Sequence, residues 1–355
     1  MTDFQKALVI FDGCFDIEYK IKRLVIDQLN GNETLKEFAL LSQKTLKDKG
    51  VEIENYLNYY TESNYQKLIS GYCKKNVVVI TEVCNNYPSE FLFLEDKPVC
   101  LYLTGNVELL KAKDKFSIVG SRKTLPSILK ITEEYSNKLS SNGVVIVTGV
   151  ALGGDLSAIK GAINSGNIIC ILAGGFDNIE NEYTHEYLKK VMNKGLLISE
   201  NRPNVKPMPY FYPRRNRLFS ALSKGVLIVS GSFKSGTRHT ANYALDYGKE
   251  VFAFPYGLNI TSGEICNQII KDGGYLVTDI NDISEVCGFE VTKNEQISLN
   301  ENEKAVLSVI KTGIVTVDNI IQLTGLKIYE LMPVLTSLEI KKLIVKSGAD
   351  NYQPI

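Results

Sequence analysis

The chain has 355 residues, of which 44% are hydrophobic and 23% are charged, and its 40 basic residues are balanced by 40 acidic ones. This composition is normal for a soluble globular protein, and the length predicts two or three domains. No apolar run reaches the roughly eighteen residues of a transmembrane helix, so membrane insertion is not expected.

Two other features of the sequence limit the chemistry that the protein can carry out and the compartment in which it is expected. The N-terminus has no signal-peptide pattern, which predicts a cytoplasmic protein. Seven cysteines without a CxxC pair fit neither a disulfide framework nor a zinc site, and there are only two histidines. Neither a metal nor another cofactor is therefore expected.

Residues 1–75 carry the periodicity of short amphipathic helices. Apolar side chains recur at three- and four-residue spacing with Lys and Glu between them, as in the run from Ile21 to Leu29. We predict a small helical domain over residues 1–75, of the SAM or helix-hairpin-helix type. Two strands are predicted next, at 77–81 and within 97–105.

From Phe116 onward, apolar strands alternate with amphipathic helices. This pattern is typical of a mostly parallel sheet with helices on both faces, so residues 76–290 are predicted to form an extended Rossmann-like domain of the α/β class. Ligands on such sheets bind at the carboxyl ends of the strands. The predicted strands are 116–119, 144–148, 168–172, 196–199, 226–229, 251–254 and 275–277, and the predicted helices include 128–139, 156–163 and 240–247.

Glycine, serine or threonine follows several of these strands. Each turn alone is weak evidence, because tight strand-to-helix turns also use glycine, but several on one edge predict a phosphate-lined groove. The chain lacks G-x-x-x-x-G-K-[ST] and has no G-x-G-x-x-G after the first strand, which argues against an ATPase and a dinucleotide oxidoreductase. The turn residues are Gly120, Ser121, Arg122, Gly149, Gly153, Gly174, Gly175, Ser235, Gly236 and Thr237.

Asp155 is the acidic residue nearest to these turns in the sequence. It follows two glycines, and we interpret it as the cap of the next helix rather than as a catalytic acid, because a carboxylate there accepts backbone N–H groups. Lys160 lies on the same predicted helix. His185 and His239 have no partner carboxylate nearby in the sequence and are interpreted as bystanders.

The segment from Asn201 to Leu245 contains no acidic residue. Aromatic rings interleave with its cations, and a positive field beside flat rings can hold a phosphate backbone while exposed bases stack. The segment therefore predicts an interface for single-stranded nucleic acid. Its cations are Arg202, Lys206, Arg214, Arg215, Arg217, Lys224, Lys234 and Arg238, and its rings include Tyr210, Phe211, Tyr212 and Phe219.

The C-terminal part of the chain changes pattern again. Residues 291–300 are polar and predict a linker, and residues 301–355 predict a winged-helix domain with helices over 302–311, 316–323 and 327–338 followed by a two-stranded wing around Ser347 and Gly348. The third helix of this fold can read DNA. Here that helix is poor in arginine, so a protein-contact or packing role is at least as well supported.

The motifs between Tyr87 and Ile283 resemble those of the DNA-processing protein family DprA, also called Smf. The resemblance is carried, in this order, by Tyr87-Pro88, IVGSR ending at Arg122, VTGVALGGD ending at Asp155, YPRRNRLFSALS from Tyr212, SGT from Ser235 and VFAFPYG ending at Gly257. The flanking helical and winged-helix segments also match the arrangement of some members. The sequence departs from the family pattern at Leu152, Gly154, Ile159 and Ser230, which indicates a divergent member.

The resemblance implies a protein that is not an enzyme. It implies binding and protection of incoming single-stranded DNA, loading of the RecA recombinase during transformation, and a homodimer formed through the Rossmann domain. Arg122 would contact phosphate, Lys206 and the run Arg214–Arg217 would line the pocket, and Phe211 or Tyr212 would stack a base. The full predicted DNA-binding set is Gly120, Ser121, Arg122, Gly149, Gly153, Asp155, Lys160, Gly174, Gly175, Lys206, Phe211, Arg214, Arg215, Asn216, Arg217, Ser235, Gly236 and Thr237.

Two alternatives remain open on the sequence. Related Rossmann-like folds hydrolyse nucleoside monophosphates, with glycines and an arginine on the phosphate and a carboxylate assisting release of the base. That enzyme needs a glutamate beside the phosphate loops, where this chain has Ser230. The other alternative is a nucleotide sensor that signals through the winged helix.

Overall fold

The computed structural model describes residues 1–178, 182–291, 299–313, 315–341, 343–348 and 350–354. It divides into two compact units, Met1–Val291 and Thr292–Ile355. The predicted domain boundaries at residues 75, 290 and 300 stay predictions, and most of the predicted linker lies outside the described residues. Within the described ranges, no helix is long and apolar enough to cross a membrane.

Four helices open the first unit. Threonines at positions 2 and 34 form capping boxes that fix the starts of the first and third helices. The buried faces of the helices share one core with the first two strands, with Phe11, Phe38 and Tyr102 among its members. The helices are α1 Asp3–Cys14, α2 Tyr19–Ile26, α3 Leu35–Asp48 and α4 Glu62–Cys73.

A nine-stranded sheet forms the centre of the first unit, in the order β1-β2-β6-β5-β4-β3-β7-β8-β9. The β1–β2 and β2–β6 pairs are antiparallel, and every other pair is parallel, which confirms the predicted mostly parallel sheet. The strands are β1 Val78–Thr81, β2 Cys100–Gly105, β3 Lys115–Gly120, β4 Val145–Thr148, β5 Ile168–Leu172, β6 Leu196–Ser199, β7 Gly225–Ser230, β8 Glu250–Ala253 and β9 Tyr275–Leu276.

Helices cover both faces of this sheet, as predicted. The helices are α5 Pro126–Ser141, α6 Gly154–Ala162, α7 Glu182–Lys194, α8 Phe211–Leu222, α9 Thr237–Asp246, α10 Glu264–Lys271 and α11 Asn281–Cys287. Successive strand residues point to opposite faces, so Ile118 and Val119 belong to two different cores. One core takes side chains from α8, α9 and α10, and the other takes them from α5, α6, α7 and α11.

The order of the parallel strands reverses at β3. From β3 the chain proceeds through β4, β5 and β6 on one side, then returns to β7 on the other side and continues through β8 to β9. The connections after β3 and after β7 therefore run to opposite sides of the sheet, and a crevice opens at the carboxyl ends of β3 and β7. The fold thus places the turns after Gly120 and Ser230 beside each other.

The second unit is a winged helix, as predicted. Its helices are α12 Glu301–Ile310, α13 Val317–Thr324 and α14 Ile328–Ile340, and its strands are β10 Val315–Thr316, β11 Ile344–Lys346 and β12 Asn351–Pro354. The sheet order is β10-β12-β11, so a short strand before α13 joins the two predicted wing strands. Residues Leu331, Val334, Leu335 and Leu338 of α14 face the core of this unit.

Glu303 gives this unit a predictable response to acid. Its carboxylate accepts hydrogen bonds from the Lys341 Nζ, the Ser337 hydroxyl and the Asn300 N–H, and these bonds lower its pKa to about 2 from an ordinary 4.5. Because the pKa of Glu303 is lower in the folded than in the unfolded state, its carboxylate stabilises the fold at pH values above the unfolded-state pKa. That stabilisation is lost as pH falls from 4.5 toward 2. Glu303→Gln is expected to flatten this dependence, measured by hydrogen exchange of residues 301–354 across the pH range. An unchanged acid response in the variant would contradict this assignment.

Candidate nucleic-acid interface

The crevice at the strand-order reversal contains a cavity of about 930 Å³. Its walls come from the turn after β3, the connection from β4 into α6, one side of α8, the start of α9 and the segment 260–262. Hydroxyl groups and apolar side chains dominate the lining. The residues are Val119, Gly120, Ser121, Arg122, Lys123, Thr124, Leu125, Pro126, Ala151, Asp155, Tyr212, Arg215, Asn216, Phe219, Ser232, Ser235, Gly236, Thr237, Thr240, Ile260, Thr261 and Ser262.

A second cavity of about 240 Å³ lies at the carboxyl ends of β4 and β5. It shares Arg122, Ala151, Tyr212 and Arg215 with the larger cavity, so these residues form a common wall. Below, "the groove" means these two cavities together. Its smaller part is otherwise lined by Val150, Leu152, Leu172, Ala173, Gly174, Gly175, Asn178, Thr184 and Pro207.

The fold brings eleven of the eighteen predicted site residues into the groove. They are Gly120, Ser121, Arg122, Asp155, Gly174, Gly175, Arg215, Asn216, Ser235, Gly236 and Thr237. The other seven, Gly149, Gly153, Lys160, Lys206, Phe211, Arg214 and Arg217, do not line it. The direct binding role of every one of the eighteen stays a prediction.

Two cations stand exposed at the mouth of the groove. Arg122 and Lys123 lie in the turn after β3, next to Ser121, and both are exposed to solvent. Neither forms an ion pair with any residue in the described part of the chain. Their charges are therefore available to an anion. Lys123 was missed by the motif-based prediction, although it follows Arg122 immediately.

Arg215 is the buried cation of the groove. Its guanidinium lies over the Phe219 ring at 4.4 Å, and its Nη1 donates to the Ile171 carbonyl at 2.6 Å. Burial lowers the pKa of Arg215, and the nearby Asp155 partly offsets that effect. The side chain is thus fixed by the protein and contributes a positive field at the wall shared by the two cavities.

Asp155 is held by backbone groups in the floor of the groove. It is 4% exposed, and its carboxylate accepts the N–H groups of Gly120 at 3.2 Å and Ala151 at 3.3 Å. Burial raises its pKa, while Arg215 works in the opposite direction. The predicted cap is wrong in detail, because Gly153 occupies the N-cap position and Asp155 instead joins two loops to the start of α6.

Most of the glycines after the strands are explained by close contacts inside the protein. A Cβ on Gly153 or Gly154 would overlap the backbone of the β3–α5 turn, and Gly153 also has a φ of +87°. Gly174 and Gly175 give room to the backbone of residues 202–207 in the same way. By contrast, a Cβ on Gly236 would meet no described atom within 4 Å. The start of α9 at Gly236 therefore has space for an anion.

Gly154→Ala is expected to lower the free energy of unfolding by about 1–3 kcal/mol, because the added methyl overlaps the Gly120 backbone. The matched control is Gly71→Ala in α4, where no described atom lies within 4 Å of the new methyl. The control should gain about 0.5–1 kcal/mol from helix propensity. Denaturant titration of both variants measures the difference, and equal shifts would contradict the packing argument.

Ser230 lies where the hydrolase alternative requires a glutamate. It is fully buried, and its hydroxyl accepts the Ser121 N–H at 2.9 Å and bonds to the hydroxyl of Thr124. These bonds join the end of β7 to the turn after β3. Ser230 is thus a neutral structural link between these two segments.

The arginines of α8 do not line one cavity together, although the run Arg214–Arg217 is predicted to line the pocket as a group. Arg217 is 1% exposed and forms ion pairs with Asp96 at 2.6 Å and Glu200 at 2.9 Å. Arg214 lies over the Tyr19 ring at 3.8 Å and pairs with Glu200 at 3.3 Å. Only Arg215 and Asn216 of this run face the groove, because successive helix residues point about 100° apart.

Acidic residues outside the acid-free segment neutralise much of its charge. Burial alone would raise the pKa of Glu200, but Arg217 and Arg214 outweigh it and hold the pKa below its ordinary value. Arg202 is bound in turn by the Asp16 carboxylate and the Gly13 carbonyl. The acid-free segment is therefore much less positive in the fold than in the sequence.

Three further predicted residues, Phe211, Lys160 and Lys206, do not line the groove. Phe211 lines a separate cavity of about 590 Å³ beside Arg214, whereas Tyr212 faces both parts of the groove. The Lys160 ammonium lies over the Tyr187 ring at 5.7 Å. Lys206 is exposed on the loop before α8. Of the two candidate stacking rings, the fold brings only Tyr212 to the groove.

The segment 260–262 was not recognised from the sequence at all. It reaches the groove because the Gly231 N–H donates to the Ser262 carbonyl and the Ile265 N–H donates to the Gly231 carbonyl. Both are long-range backbone contacts, which leave no local motif. Metal-ligand clusters are also absent among the described residues, and all seven cysteines are free thiols.

Two family models match the chain. The model described as DNA recombination-mediator protein A covers residues 67–288, and the DprA winged helix domain covers residues 291–348. The first match spans more than half of the chain, and it contains every strand of the large sheet.

Individual relatives and solved structures agree. DNA processing protein DprA of Bacillus subtilis is 32% identical over 230 residues, covering 63% of this chain and 77% of the relative. The X-ray structure of DprA from Streptococcus pneumoniae is 25% identical, covers 82% of this chain and 99% of its own, and has a TM-score of 0.63. A structure describing the single-stranded DNA binding mode of DprA from Helicobacter pylori is 29% identical, covers 60% and 97%, and has a TM-score of 0.55. The fold, the groove and these matches together make the chain a member of the DNA recombination-mediator protein A family.

Proposed function

We propose that this protein binds single-stranded DNA in the groove at the strand-order reversal. The observation that carries the proposal is the pair of exposed cations, Arg122 and Lys123, at the mouth of a large cavity whose wall also presents the Tyr212 ring. Cations attract the phosphates, and a ring offers a stacking surface to any base. The start of α9 at Gly236 adds open space and partial positive charge to the lining of the same cavity.

The shape of the site favours a single strand over a duplex. A ring can stack only on a base that is not already paired and stacked on both sides, so the bases of an intact DNA duplex are not available to the Tyr212 ring. The backbone and hydroxyl groups that line the groove offer few of the side-chain hydrogen-bond pairings that distinguish one base edge from another. We therefore propose binding with weak sequence preference.

The hydrolase alternative is less well supported by the same residues. Among the described residues that line the groove, Asp155 is the only carboxylate, and it is already bonded to two backbone N–H groups. Ser230 supplies a hydroxyl where that reaction needs an acid. A nucleotide sensor would use the same groove, and it would differ by binding free nucleotides but not DNA.

The finer parts of the proposal rest on membership of the family. We propose that the protein protects incoming DNA, loads RecA onto it, forms a homodimer through the Rossmann-like unit and acts in the cytoplasm. Light scattering of the purified chain tests the dimer. A RecA filament assay on single strands already covered by a binding protein tests loading, and no acceleration of filament growth would reject it.

The direct test is fluorescence anisotropy of the full chain with labelled oligothymidine and with duplex of equal length across a salt series. We expect tighter binding to the single strand, with an affinity that falls steeply as salt rises. Lack of DNA binding at low salt, together with saturable binding of a free nucleotide, would support the sensor alternative. Release of base from a nucleotide would support the hydrolase alternative.

Tyr212→Ala is expected to weaken single-strand binding by about 1–3 kcal/mol, the usual contribution of one base stacked on a ring. Tyr212→Phe keeps the ring and should retain most of the affinity. Phe211→Ala is the matched control, because Phe211 is the preceding residue of α8 and faces a different cavity. Anisotropy of the three variants at one salt concentration measures the effects, and a larger loss for Phe211→Ala would place the strand in the other cavity.

A further inference from the structure

Residues 201–207, which we call the connecting loop, lie between β6 and α8 and reach the smaller cavity of the groove at Pro207. The Val205 N–H donates to the Arg202 carbonyl at 3.0 Å, which closes a turn, and the Val205 carbonyl accepts the Gly175 N–H at 2.8 Å. Gly175 and Pro207 both line the smaller cavity. The shape of that cavity therefore depends on where the connecting loop is held.

The side chain of Arg202 joins the connecting loop to the N-terminal helices. Its Nη1 donates to the Gly13 carbonyl at 3.1 Å, and its Nη2 donates to the Asp16 carboxylate. Gly13 lies in the last turn of α1, where the partial negative charge of the helix end favours a cation. The Arg202 side chain is 15% exposed, whereas the Asp16 side chain is 94% exposed. The bridge thus joins a mostly buried cation of the loop to an accessible carboxylate beside α1.

Other contacts between the helices and this part of the sheet are weaker. A cavity of about 450 Å³ is lined by Cys14 from the helices and by Pro203 from the loop, so the two are not closely packed there. Lys75, which follows α4, pairs with Asp177 in the turn after β5 at 2.5 Å. Both of these side chains are exposed, and exposed ion pairs contribute little stability. The Arg202 bridge is therefore the stronger of the two ionic links.

Neither partner of the bridge lines the groove. Arg202 and Asp16 instead line the separate cavity of about 590 Å³ beside Arg214. A carboxylate repels phosphate, so removal of Asp16 would strengthen DNA binding if its charge alone mattered. Removal of Asp16 would weaken DNA binding if the bridge holds the loop in place. The sign of the effect therefore separates charge from position.

We propose that Arg202 is a positioning residue for DNA binding, through which the N-terminal helices hold the connecting loop at the wall of the smaller cavity. The inference rests on the proposed function of the groove and gives the helices a part in it. Arg202 acts through the loop and does not touch the strand. A loop that is fixed before binding loses less conformational entropy when the strand enters, so the preformed wall raises the affinity.

Asp16→Ala is the decisive variant, because a side chain this exposed can be removed with little effect on folding. We expect Asp16→Ala and Arg202→Ala each to bind labelled oligothymidine about fivefold more weakly in fluorescence anisotropy of the full chain. The double variant should lose no more than Arg202→Ala alone, because both changes break one bridge. Asp16→Glu keeps the carboxylate and should retain most of the affinity. The slope of log affinity against log salt should stay unchanged, since no phosphate contact is lost.

Lys67→Ala is the matched control and should bind like the wild type. Lys67 is an exposed cation of α4 that lines the cavity between the helices and the loop, and it forms no ion pair with any residue that the structure describes. A loss in this control equal to that of Arg202→Ala would overturn the positioning role in favour of general surface charge.

Three further results would also overturn the positioning role while the groove stands. They are an affinity of Asp16→Ala equal to or above that of the wild type, additive losses in the double variant, and a lower salt slope for Arg202→Ala, which would make Arg202 a direct phosphate contact. If the wild type binds no single strand, the proposed function of the groove fails together with this inference.

Discussion

Replacing Arg217 with alanine is expected to lower the free energy of unfolding by about 3–5 kcal/mol. Arg217 is 1% exposed, and its guanidinium donates to the Asp96 carboxylate, the Asp96 carbonyl, the Glu200 carboxylate and the Arg214 carbonyl. Its loss leaves Glu200, 3% exposed at the side chain, with Arg214 as its remaining ion-pair partner. A buried carboxylate that loses its main partner bears most of its desolvation cost.

The expected loss is a large share of the roughly 5–15 kcal/mol that holds a folded domain together. Denaturant titration followed by circular dichroism measures it. Arg238→Ala is the matched control, because it removes an arginine from the same acid-free segment at an exposed position, and it should change stability by less than about 0.5 kcal/mol. Equal stabilities of the two variants would contradict the structural role of Arg217.

The contrast between Arg217 and Arg238 shows what the sequence could not reveal about charge. In the sequence both belong to one stretch without acids, from Asn201 to Leu245. In the fold, Glu200 is adjacent to that stretch and Asp96 reaches it from more than a hundred residues away. Ion pairs are set by tertiary contacts, so a count of charges along the chain overestimates the free positive surface.

The strands were predictable because their signal is local. Runs such as 168–172 and 196–199 are continuously apolar, as expected for strands covered on both faces, and the structure has them with the predicted bounds. The order of strands in the sheet depends on contacts between distant parts of the chain. The regular alternation of strands and helices nevertheless limited the possible topologies to an open sheet whose strand order reverses. β10 was missed, because its two residues directly precede α13 and the predicted second helix already began at residue 316.

The site was predictable at the level of the turn but not of the side chain. The turn after β3 gave Gly120, Ser121 and Arg122, which all line the groove. On α8, however, Phe211 and Tyr212 look equivalent in the sequence, and only the rotation of the helix sends the second of them to the groove. The glycines were identified as ligand contacts although most are required by backbone packing.

Removing both cations at the groove mouth, with Arg122→Ala and Lys123→Ala together, is expected to weaken single-strand binding by about 100-fold. Each exposed cation can make one charge-assisted hydrogen bond to phosphate, at about 1.5 kcal/mol per bond. Neither residue is paired within the part of the chain that the structure describes, so the fold loses little stability with them. The double variant therefore separates binding from folding, which a change at buried Arg215 would not.

The salt dependence makes this prediction specific to phosphate contacts. Each phosphate neutralised on a single strand contributes about 0.7 to the slope of log affinity against log salt, so the double variant should lose about 1.4 from that slope. Lys47→Ala with Lys49→Ala is the matched control, since it removes two exposed cations from the end of α3, outside the groove lining. A control that loses as much slope as the groove variant would mean that the DNA follows the general charge of the surface. A groove variant with lower affinity but an unchanged slope would mean that Arg122 and Lys123 shape the pocket without holding the phosphates.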